Sequence, residues 1–380
     1  MKKVIVILLC FLQFFNMQKI VFANEKEFEV GSEVYAKSAV LIDGKSGRML
    51  IGKNPEEKMA MASTTKIMTC IIALEHCEKN QIMTVSKNAL NLPMVRMNVR
   101  ENEQYYMIDL LYAMMLESYN DVAVVVAENV AGSVEKFAEM MNEKANEIGM
   151  RNTHFVTPNG LDAINHYSTA YDMAIIGAYA INNKEFLKII GTKTYSFKEL
   201  RKERQISVYN KDLFLTMDND AVGIKTGFTA KAGYCFVGAT KCKDRIFVSC
   251  VLASGWPPNK SYKWHDTKML MERGKKDYHY RRLTDNKKKI RIDIQNGDRK
   301  SITALLKGES KMMVSGKDHV SFKTIINYTL PVKRNDTVGK VLVYINGQRA
   351  GENKLISLDS AEAYDFNYCL NKIFRLFVFK

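Results

Sequence analysis

Apolar side chains recur along the chain at two different spacings, and the change between them divides the sequence. An apolar residue at every third or fourth position is typical of a helix with one buried face, and it predicts helices over 63–79, 104–128, 133–148, 169–182 and 262–278. Short apolar or alternating runs between turn residues predict strands over 39–42, 48–51, 222–228, 233–240 and 246–252. Helices therefore fill the middle of the chain and strands follow from Ala221, which predicts a mixed α/β (α+β) protein.

The helical pattern from 104 to 128 is interrupted by the polar run Glu117-Ser118-Tyr119-Asn120. Asp121 precedes the apolar segment 122–126, and its position predicts that it caps the second helix. A polar break between two apolar helices can present side chains inside a core-lined cleft. This break is therefore a candidate part of a functional site.

Near Tyr280 the composition shifts to basic residues and short alternating strands. The basic residues are Arg281, Arg282, Lys287, Lys288, Lys289 and Arg291. Farther on, Asn346-Gly347 predicts a tight hairpin turn. We predict a separate small all-β domain over 283–358, and we interpret the basic stretch as a solvated linker and strand face rather than a binding site.

The tail, 359–380, has an amphipathic pattern. One helical face holds Phe366, Cys369, Leu370, Ile373, Phe374 and Phe377, and the other holds Asp365, Asn371, Lys372 and Arg375. A basic, aromatic-rich helix of this kind fits a membrane surface, where its apolar face enters the interface. The alternative interpretation is a helix that packs on its own domain.

The first residues predict export. Two lysines precede an almost wholly apolar run over 4–15, and Val21-Phe22-Ala23 ends in a small residue. This pattern is typical of a secretory signal peptide over 1–23 that is cleaved after Ala23, so we expect the protein at the outer face of the cytoplasmic membrane or in the cell wall. An uncleaved anchor helix is the alternative, although Asn16, Gln18 and Lys19 interrupt the apolar run.

Charge and cysteine content narrow the possible partners. The formal net charge of +15 falls to +12 without residues 1–23, which hold three lysines and no acid. Such a surplus favours anionic surfaces, whereas nucleic acid is not expected for an exported chain without a nucleic-acid motif. The six cysteines that remain form no CxxC pair and accompany no histidine cluster, so we expect no metal and no cofactor.

The candidate chemistry begins at Ser63 and Lys66, which stand where a turn ends and a helical pattern starts. Residues three apart on a helix share a face, so the lysine would lie over the serine. A serine hydroxyl needs a base to become a nucleophile, and a desolvated amine can be that base. The spacing alone is weak evidence, because Ser133 and Lys136 repeat it; we interpret Ser133 as a helix N-cap and Lys136 as a solvated side chain.

Three short elements then stand in order along the chain: Ser63-x-x-Lys66, Ser118-Tyr119-Asn120 and Lys225-Thr226-Gly227. A second Ser-x-Asn run, Ser86-Lys87-Asn88, lacks flanking helical segments. We expect the strand over 222–228 to expose Lys225 and Thr226 at its end, and Gly227 to let the backbone of a ligand approach. In this order and on these elements, the three motifs resemble those of the penicillin-binding proteins and serine β-lactamases.

Within that superfamily the chain is similar to the low-molecular-mass D-alanyl-D-alanine carboxypeptidases. The resemblance rests on the amino-acid sequences of segments 63–69, 149–155, 159–162, 167–172 and 223–229. Segment 255–260 resembles the sporulation-associated branch of the family. It implies a β-lactamase/transpeptidase-like catalytic domain over 24–282, with a helical subdomain and an antiparallel sheet. It also implies the C-terminal β domain over 283–358 and the terminal anchor helix over 359–380.

The resemblance also implies a role for each motif residue. Ser63 would attack the carbonyl between the two terminal D-alanines of a peptidoglycan stem peptide, Lys66 would take its proton, Ser118 would relay a proton to the departing D-alanine, and Asn120 would hold the substrate amide and the lysine. Lys225 and Thr226 would bind the terminal carboxylate, and the backbone N–H groups of Ser63 and Phe228, the latter beside Gly227, would form the oxyanion hole. β-Lactam antibiotics would be covalent inhibitors. Tyr119 stands where many carboxypeptidases have glycine, and its side chain either narrows the cleft or faces away.

Other functions share these groups. A class A-like β-lactamase would need a deacylating glutamate, and no convincing Glu-x-x-x-Asn loop lies between Ser118 and Lys225. A non-hydrolytic penicillin-binding or wall-binding protein, an endopeptidase and a transpeptidase remain alternatives. We interpret His154 and Asp162, which lie in family-like segments, as structural loop residues rather than catalytic ones.

Overall fold

The computed structural model describes residues 33–378, so the predicted signal peptide at 1–23 lies outside the described residues. Its helices are α1 (Lys66–His76), α2 (Met107–Leu116), α3 (Asn120–Ala131), α4 (Val134–Glu147), α5 (Ala170–Ala180), α6 (Lys184–Gly191), α7 (Phe214–Met217), α8 (Tyr262–Asp277) and α9 (Phe366–Val378). Its strands are β1 (Ser38–Asp43), β2 (Met49–Lys53), β3 (Ile82–Thr84), β4 (Gln104–Tyr106), β5 (Thr194–Lys198), β6 (Gln205–Tyr209), β7 (Ala221–Thr229), β8 (Gly233–Cys242), β9 (Arg245–Leu252), β10 (His279–Arg282), β11 (Lys289–Asp293), β12 (Ser301–Lys307), β13 (Lys311–Val314), β14 (Val320–Ile326), β15 (Thr337–Ile345) and β16 (Gln348–Ser357). The predicted mixture of helices and antiparallel strands is confirmed.

A five-stranded antiparallel sheet with the order β2-β1-β9-β8-β7 forms the centre of the first part of the chain. Consecutive strand residues point to opposite faces, and Phe247 and Val248 of β9 accordingly belong to different apolar clusters. Helix α5 packs with the cluster that contains Val248, and α8 packs with the cluster that contains Phe247. The sheet is therefore covered on both faces, while β7 is left as an edge strand.

Helices α1 to α4 form an apolar subdomain beside that edge, because their buried residues belong to the same cluster as α5 and one face of the sheet. The 104–128 segment contains two helices, α2 and α3, with the expected break at Glu117–Tyr119 between them. Its first three residues form the short strand β4 and not the predicted helix. Asp121 is not the N-cap residue, because α3 begins at Asn120 after Tyr119, but its carboxylate accepts the first-turn N–H of Val122 at 2.9 Å. The same carboxylate accepts hydrogen bonds from the backbone N–H groups of Met97 and Val99, so it also holds a neighbouring loop.

A second five-stranded antiparallel sheet, with the order β11-β12-β16-β15-β14, lies in the C-terminal part and has its own apolar cluster. The hairpin between β15 and β16 turns at Asn346 and Gly347, whose φ angles of 51° and 78° are those of the tight turn that the sequence predicts. The pair β10 and β13 joins the two parts, because β13 follows the second sheet's β12 while Met313 packs in the cluster of α8.

Helix α9 follows the second sheet and keeps its apolar side chains in solvent. Phe366, Ile373, Phe374 and Phe377 are between 52% and 81% exposed. The polar residues Asn371, Lys372 and Arg375 are exposed as well, so neither face of the helix is covered by the described part of the chain. Within residues 33–378, no helix is both long enough and apolar enough to cross a bilayer.

Candidate active site

Ser63 lies in a short 3-10 turn, Ala62–Thr65, that leads directly into α1. The turn is fixed by the Thr64 hydroxyl, which donates to the Met61 carbonyl over 2.6 Å. Ala62, the residue before the serine, has a φ of 48°, a region that residues with a Cβ rarely occupy. Such backbone strain is concentrated at functional sites, where the surrounding fold holds it in place.

Lys66 is fully buried, and its amine has three oxygen neighbours. Nζ lies 2.8 Å from Ser63 Oγ, 2.9 Å from Asn120 Oδ1 and 2.5 Å from the Asn159 carbonyl. The last two oxygens can only accept, so they take two N–H bonds of the amine. A neutral lysine then has its lone pair left for the third neighbour, which is the hydroxyl of Ser63.

Three effects act on the charge of this lysine. Burial lowers the pKa of Lys66 well below its usual value, and the nearby positive charge of Lys225 lowers it further. The carboxylate of Asp121 acts in the opposite direction and raises the pKa. The net effect favours a neutral amine, which is the form that can accept the proton of Ser63.

Ser118 and Asn120 lie at the junction of α2 and α3. Ser118 has a φ of 70° and turns the chain between the helices, a second strained residue at the site. The Asn120 side chain is oriented by two hydrogen bonds of 3.1 Å, which its Nδ2 donates to the carbonyls of Pro93 and Met94. Its Oδ1 must therefore face Lys66, as the predicted holding role requires.

Tyr119, between them, does not narrow the cleft. Its side chain packs against the large apolar cluster of the helical subdomain, so it faces away from the site. His154 lies outside the cleft lining and its Nδ1 contacts the Asn165 carbonyl at 2.7 Å, while Asp162 accepts a hydrogen bond from the Thr229 hydroxyl at 3.1 Å. Both contacts fit the predicted role of His154 and Asp162 as structural loop residues.

The loop at Pro158–Asn159–Gly160 closes the site behind Lys66 and was not predicted to do so. The Thr69 hydroxyl of α1 donates to the Pro158 carbonyl over 2.6 Å, and Asn159 supplies the carbonyl that binds Lys66. Gly160 has a φ of 83°, and a Cβ there would lie 1.9 Å from the Ala62 carbonyl oxygen. The loop therefore reaches the turn of the nucleophile only because residue 160 has no side chain.

The third motif lies on the edge strand β7, but the expectation for Lys225 is wrong. Lys225 sits in the middle of the strand and is only 2% exposed, because neighbouring elements cover it. Its Nζ donates to the Thr226 carbonyl over 3.1 Å. Burial lowers the pKa of Lys225 to about 7, although Asp212 acts to raise it.

Gly227 allows β7 to lie close to the turn of the nucleophile. A Cβ on it would lie 3.0 Å from the backbone N of Ser63 and 3.1 Å from the Met61 carbonyl. The lack of a Cβ therefore lets the nucleophile turn approach β7 closely. The approach of a ligand at Gly227, which also lines the cleft, stays a prediction. The strand and the turn of Ser63 are thereby brought side by side.

These elements enclose a cleft of about 420 Å³. Its lining includes six predicted site residues, namely Ser63, Ser118, Asn120, Thr226, Gly227 and Phe228. Lys66 and Lys225 are not among the residues that line the cleft. The lining also contains Lys211, Lys260 and Lys263, which the sequence did not single out because no motif spacing connects them to the serine.

Asp212 is a further residue that sequence reasoning missed. It is 9% exposed, and its Oδ1 accepts from the Phe214 backbone N–H at 2.9 Å. Burial raises the pKa of Asp212 to about 6, while the Phe214 hydrogen bond and the charge of Lys225 act against this rise. Nothing in the local sequence around Asp212 indicates that its carboxylate will lie near Lys225 and Lys263.

Known proteins resemble this chain in sequence and in fold. The family model of the S11 peptidases, described as D-alanyl-D-alanine carboxypeptidase, matches residues 22–255. D-alanyl-D-alanine carboxypeptidase DacA of Haemophilus influenzae is 30% identical over 360 residues, which cover 90% of this chain and 89% of the relative. D-alanyl-D-alanine carboxypeptidase DacF of Bacillus subtilis is 27% identical over 343 residues, which cover 87% of each chain.

A solved structure of similar architecture is penicillin binding protein 5 from Haemophilus influenzae. It has a TM-score of 0.70 and 27% sequence identity, and the match covers 87% of this chain and 98% of that one. Fold and site together define a serine acyl-transfer enzyme of the penicillin-binding type. The chain belongs to the S11 family of serine peptidases, the D-alanyl-D-alanine carboxypeptidases.

Proposed function

We propose that this carboxypeptidase removes the terminal D-alanine of peptidoglycan stem peptides through an acyl-enzyme on Ser63. The observation that carries the assignment is the environment of Lys66, whose amine lies 2.8 Å from Ser63 Oγ while two carbonyl oxygens accept its N–H bonds. A buried amine held in this way is a base directed at one hydroxyl. Within the described chain, no second lysine and serine are arranged like this.

In the proposed reaction, Ser63 Oγ bonds to the carbonyl carbon of the penultimate D-alanine as its proton passes to Lys66. The C–N bond to the last D-alanine then breaks, and Ser118 relays a proton to the departing amine. Asn120 holds Lys66 and the substrate amide, and the backbone N–H groups of Ser63 and Phe228 bind the carbonyl oxygen. Water then attacks the ester and returns Ser63 to its free form.

The alternative of a class A-like β-lactamase is disfavoured by the cleft lining. Among the described residues that line the cleft, the one carboxylate is Glu117, which forms an ion pair with Lys211 at 3.3 Å and accepts the Tyr209 backbone N–H at 2.9 Å. A carboxylate that is engaged in this way is poorly placed to activate a deacylating water. We therefore propose that β-lactams act as slowly released covalent inhibitors.

The test is to treat the mature protein, residues 24–380, with a fluorescent penicillin and to measure D-alanine release from a Lys-D-Ala-D-Ala peptide. We expect the wild type to be labelled and to release D-alanine, and Ser63→Ala to do neither. Ser133→Ala is the matched control, because its hydroxyl only caps α4 by accepting from the Lys136 backbone N–H. Labelling without release would leave a penicillin-binding or transpeptidase function, and labelling of Ser63→Ala would refute the nucleophile.

We further propose that α9 attaches the protein to the outer face of the cytoplasmic membrane. The exposure of Phe374 (58%) and Phe377 (81%) supports this, since a helix packed on its own domain would bury these rings. We expect Phe374→Glu to reduce co-sedimentation with anionic phospholipid vesicles. Phe322→Glu is the matched control, because Phe322 is an equally exposed ring (51%) on β14. Equal binding of both variants would contradict the proposal.

A further inference from the structure

His166, a buried histidine outside the three motifs, connects two segments on which the proposed reaction depends. It is 5% exposed and lies shortly before α5. Its Nδ1 accepts the backbone N–H of Val156 at 2.9 Å, and its Nε2 lies 3.2 Å from the Thr65 hydroxyl oxygen. Val156 begins the loop that carries the Asn159 carbonyl, and Thr65 ends the turn of the nucleophile. One imidazole ring therefore joins this loop to this turn.

The two hydrogen bonds fix the tautomer of the ring. A backbone N–H can only donate, so Nδ1 is the nitrogen without a proton, and Nε2 carries the proton and donates it to Thr65. The ring must be neutral for this, because a proton on Nδ1 would face the N–H of Val156. Burial lowers the pKa of His166 to about 4, and the nearby His154 and Lys231 act in the same direction. The imidazole is therefore neutral at neutral pH, and both of its nitrogens are engaged.

The loop and the turn have few direct hydrogen bonds to each other. The Thr69 hydroxyl holds the loop against α1, and the Thr64 hydroxyl bonds within the turn. Among residues 33–378, only Lys66 and His166 have side chains that hydrogen-bond to both the loop 156–161 and the turn 62–65. Lys66 is the proposed base, so His166 is the side chain that connects the two segments independently of the reacting groups.

We propose that His166 is a positioning residue for acylation, because its two hydrogen bonds set the place of the Asn159 carbonyl relative to Ser63. That carbonyl accepts an N–H bond of Lys66 and so directs the lone pair of the amine at the serine hydroxyl. The inference rests on the proposed function and deepens it. His166 is not among the residues that line the cleft, so its loss should slow the chemical step and leave the binding of a ligand unchanged.

The experiment is rapid mixing of the mature protein with benzylpenicillin at a series of concentrations. It yields the dissociation constant of the initial complex and the first-order rate constant of acylation. Loss of folded protein lowers the labelled amplitude but not the rate constant of the molecules that react. His166→Phe keeps a ring and removes both hydrogen bonds. We expect it to lower the rate constant by about 10- to 100-fold, with the dissociation constant within about threefold of wild type.

His154→Phe is the matched control. His154 is an exposed histidine whose Nδ1 contacts the Asn165 carbonyl at 2.7 Å, so it belongs to the same region of the chain without a bond to the turn of the nucleophile. Its rate constant should stay within about twofold of wild type. An equal loss in His154→Phe and His166→Phe would show that the connection to the turn is not what matters.

A milder pair of substitutions tests the contact with the turn even where His166→Phe does not fold. In His166→Asn the amide oxygen takes the place of Nδ1 and still accepts the Val156 N–H, but the side chain is too short to reach Thr65. Thr65→Val removes the other partner of the same hydrogen bond. We expect each substitution to slow acylation about tenfold, and the double variant to be within about twofold of the slower single one, since only one bond is lost.

A wild-type rate constant in His166→Asn would overturn the inference. So would losses that add in the double variant, or a weaker initial complex in place of a slower chemical step. If benzylpenicillin does not label the wild type at all, the proposed function fails instead.

Discussion

At the scale of single residues, the site is built from buried lysines with different tasks. Lys66, Lys225 and Lys263 are each between 0% and 3% exposed, and burial is the main cause that lowers each pKa. In the proposed reaction, Lys66 must be neutral to accept a proton, whereas Lys225 must be charged to attract a carboxylate. The positive charge of Lys225 helps to keep Lys66 neutral, so the two requirements support each other.

These opposed requirements predict a bell-shaped pH dependence for acylation by benzylpenicillin. The second-order rate should rise with pH as Lys66 loses its proton, and because its pKa is lowered this limb lies at unusually low pH for a lysine. The rate should fall again above about pH 7, where Lys225 loses its charge. Rapid-mixing measurements across this range would test both limbs.

A substrate without a carboxylate supplies the control. The C-terminal amide of the D-Ala-D-Ala peptide should keep the rising limb, which belongs to the base, and lose the falling limb, which belongs to the anion site. A falling limb that is equal for the acid and the amide would show that Lys225 does not act through the carboxylate.

At the scale of elements, the catalytic geometry depends on contacts between loops that lack regular structure. The Asn159 carbonyl reaches Lys66 because Gly160 packs against the Ala62 carbonyl, and Asn120 is fixed by the carbonyls of Pro93 and Met94. These backbone groups orient the base, so a change in loop position acts on the chemistry without removing any catalytic side chain.

We expect Gly160→Ala to destabilise the protein by about 3 kcal/mol, because strain at positive φ and overpacking both contribute. Displacement of the Asn159 carbonyl should slow penicillin acylation by about 100-fold, the usual cost of a misplacement near 1 Å. Urea unfolding and the acylation rate measure the two effects.

Gly149→Ala is the matched control, since Gly149 has the same φ of 83° but no atom within 4 Å of a Cβ. It should cost about 1 kcal/mol and leave acylation unchanged. Equal effects of the two substitutions would show that backbone strain alone, and not the contact with Ala62, matters at Gly160.

At the scale of the whole molecule, the two sheets are joined by polar contacts around β13. Arg48, beside β2, donates to Asp318 over 3.0 Å and also contacts the Met313 carbonyl. Asp318 additionally accepts from the Ser315 backbone N–H and from Asn346 Nδ2, both at 2.8 Å. We propose that the predicted boundary between residues 282 and 283 separates two apolar cores. Met313 follows this boundary in the sequence but packs with the core of the first part.

Asp318→Ala should destabilise this junction by about 3 kcal/mol, because it leaves Arg48 unpaired at a site where the aspartate is only 4% exposed. Urea unfolding should show the loss, with penicillin acylation under native conditions within about twofold of wild type, since the cleft shares no residue with the junction.

Glu309→Ala serves as its control. It removes an ion pair with Arg282 whose side chains are 34% and 62% exposed, and should cost less than about 1 kcal/mol. An equal loss in both variants would contradict a specific role for the buried pair.

The sequence by itself predicted the helices α1 to α5 and α8 and the strands of the first sheet, because local periodicity sets them, and it singled out Ser63 and Lys66 because they are neighbours on one turn. The short strands β3 to β6 and the helix α6 were not predicted. The N-cap at Ser133 and the hairpin at Asn346-Gly347 were also predictable, since both are local. Tertiary structure alone decided that Lys225 is buried, that Gly227 accommodates the Ser63 turn, and that Asp121 also holds the loop at Met97. It also placed Asp212 and Lys263 at the site. Burial and charge pairing depend on which distant segments meet, and that is a property of the packed chain rather than of any stretch of sequence.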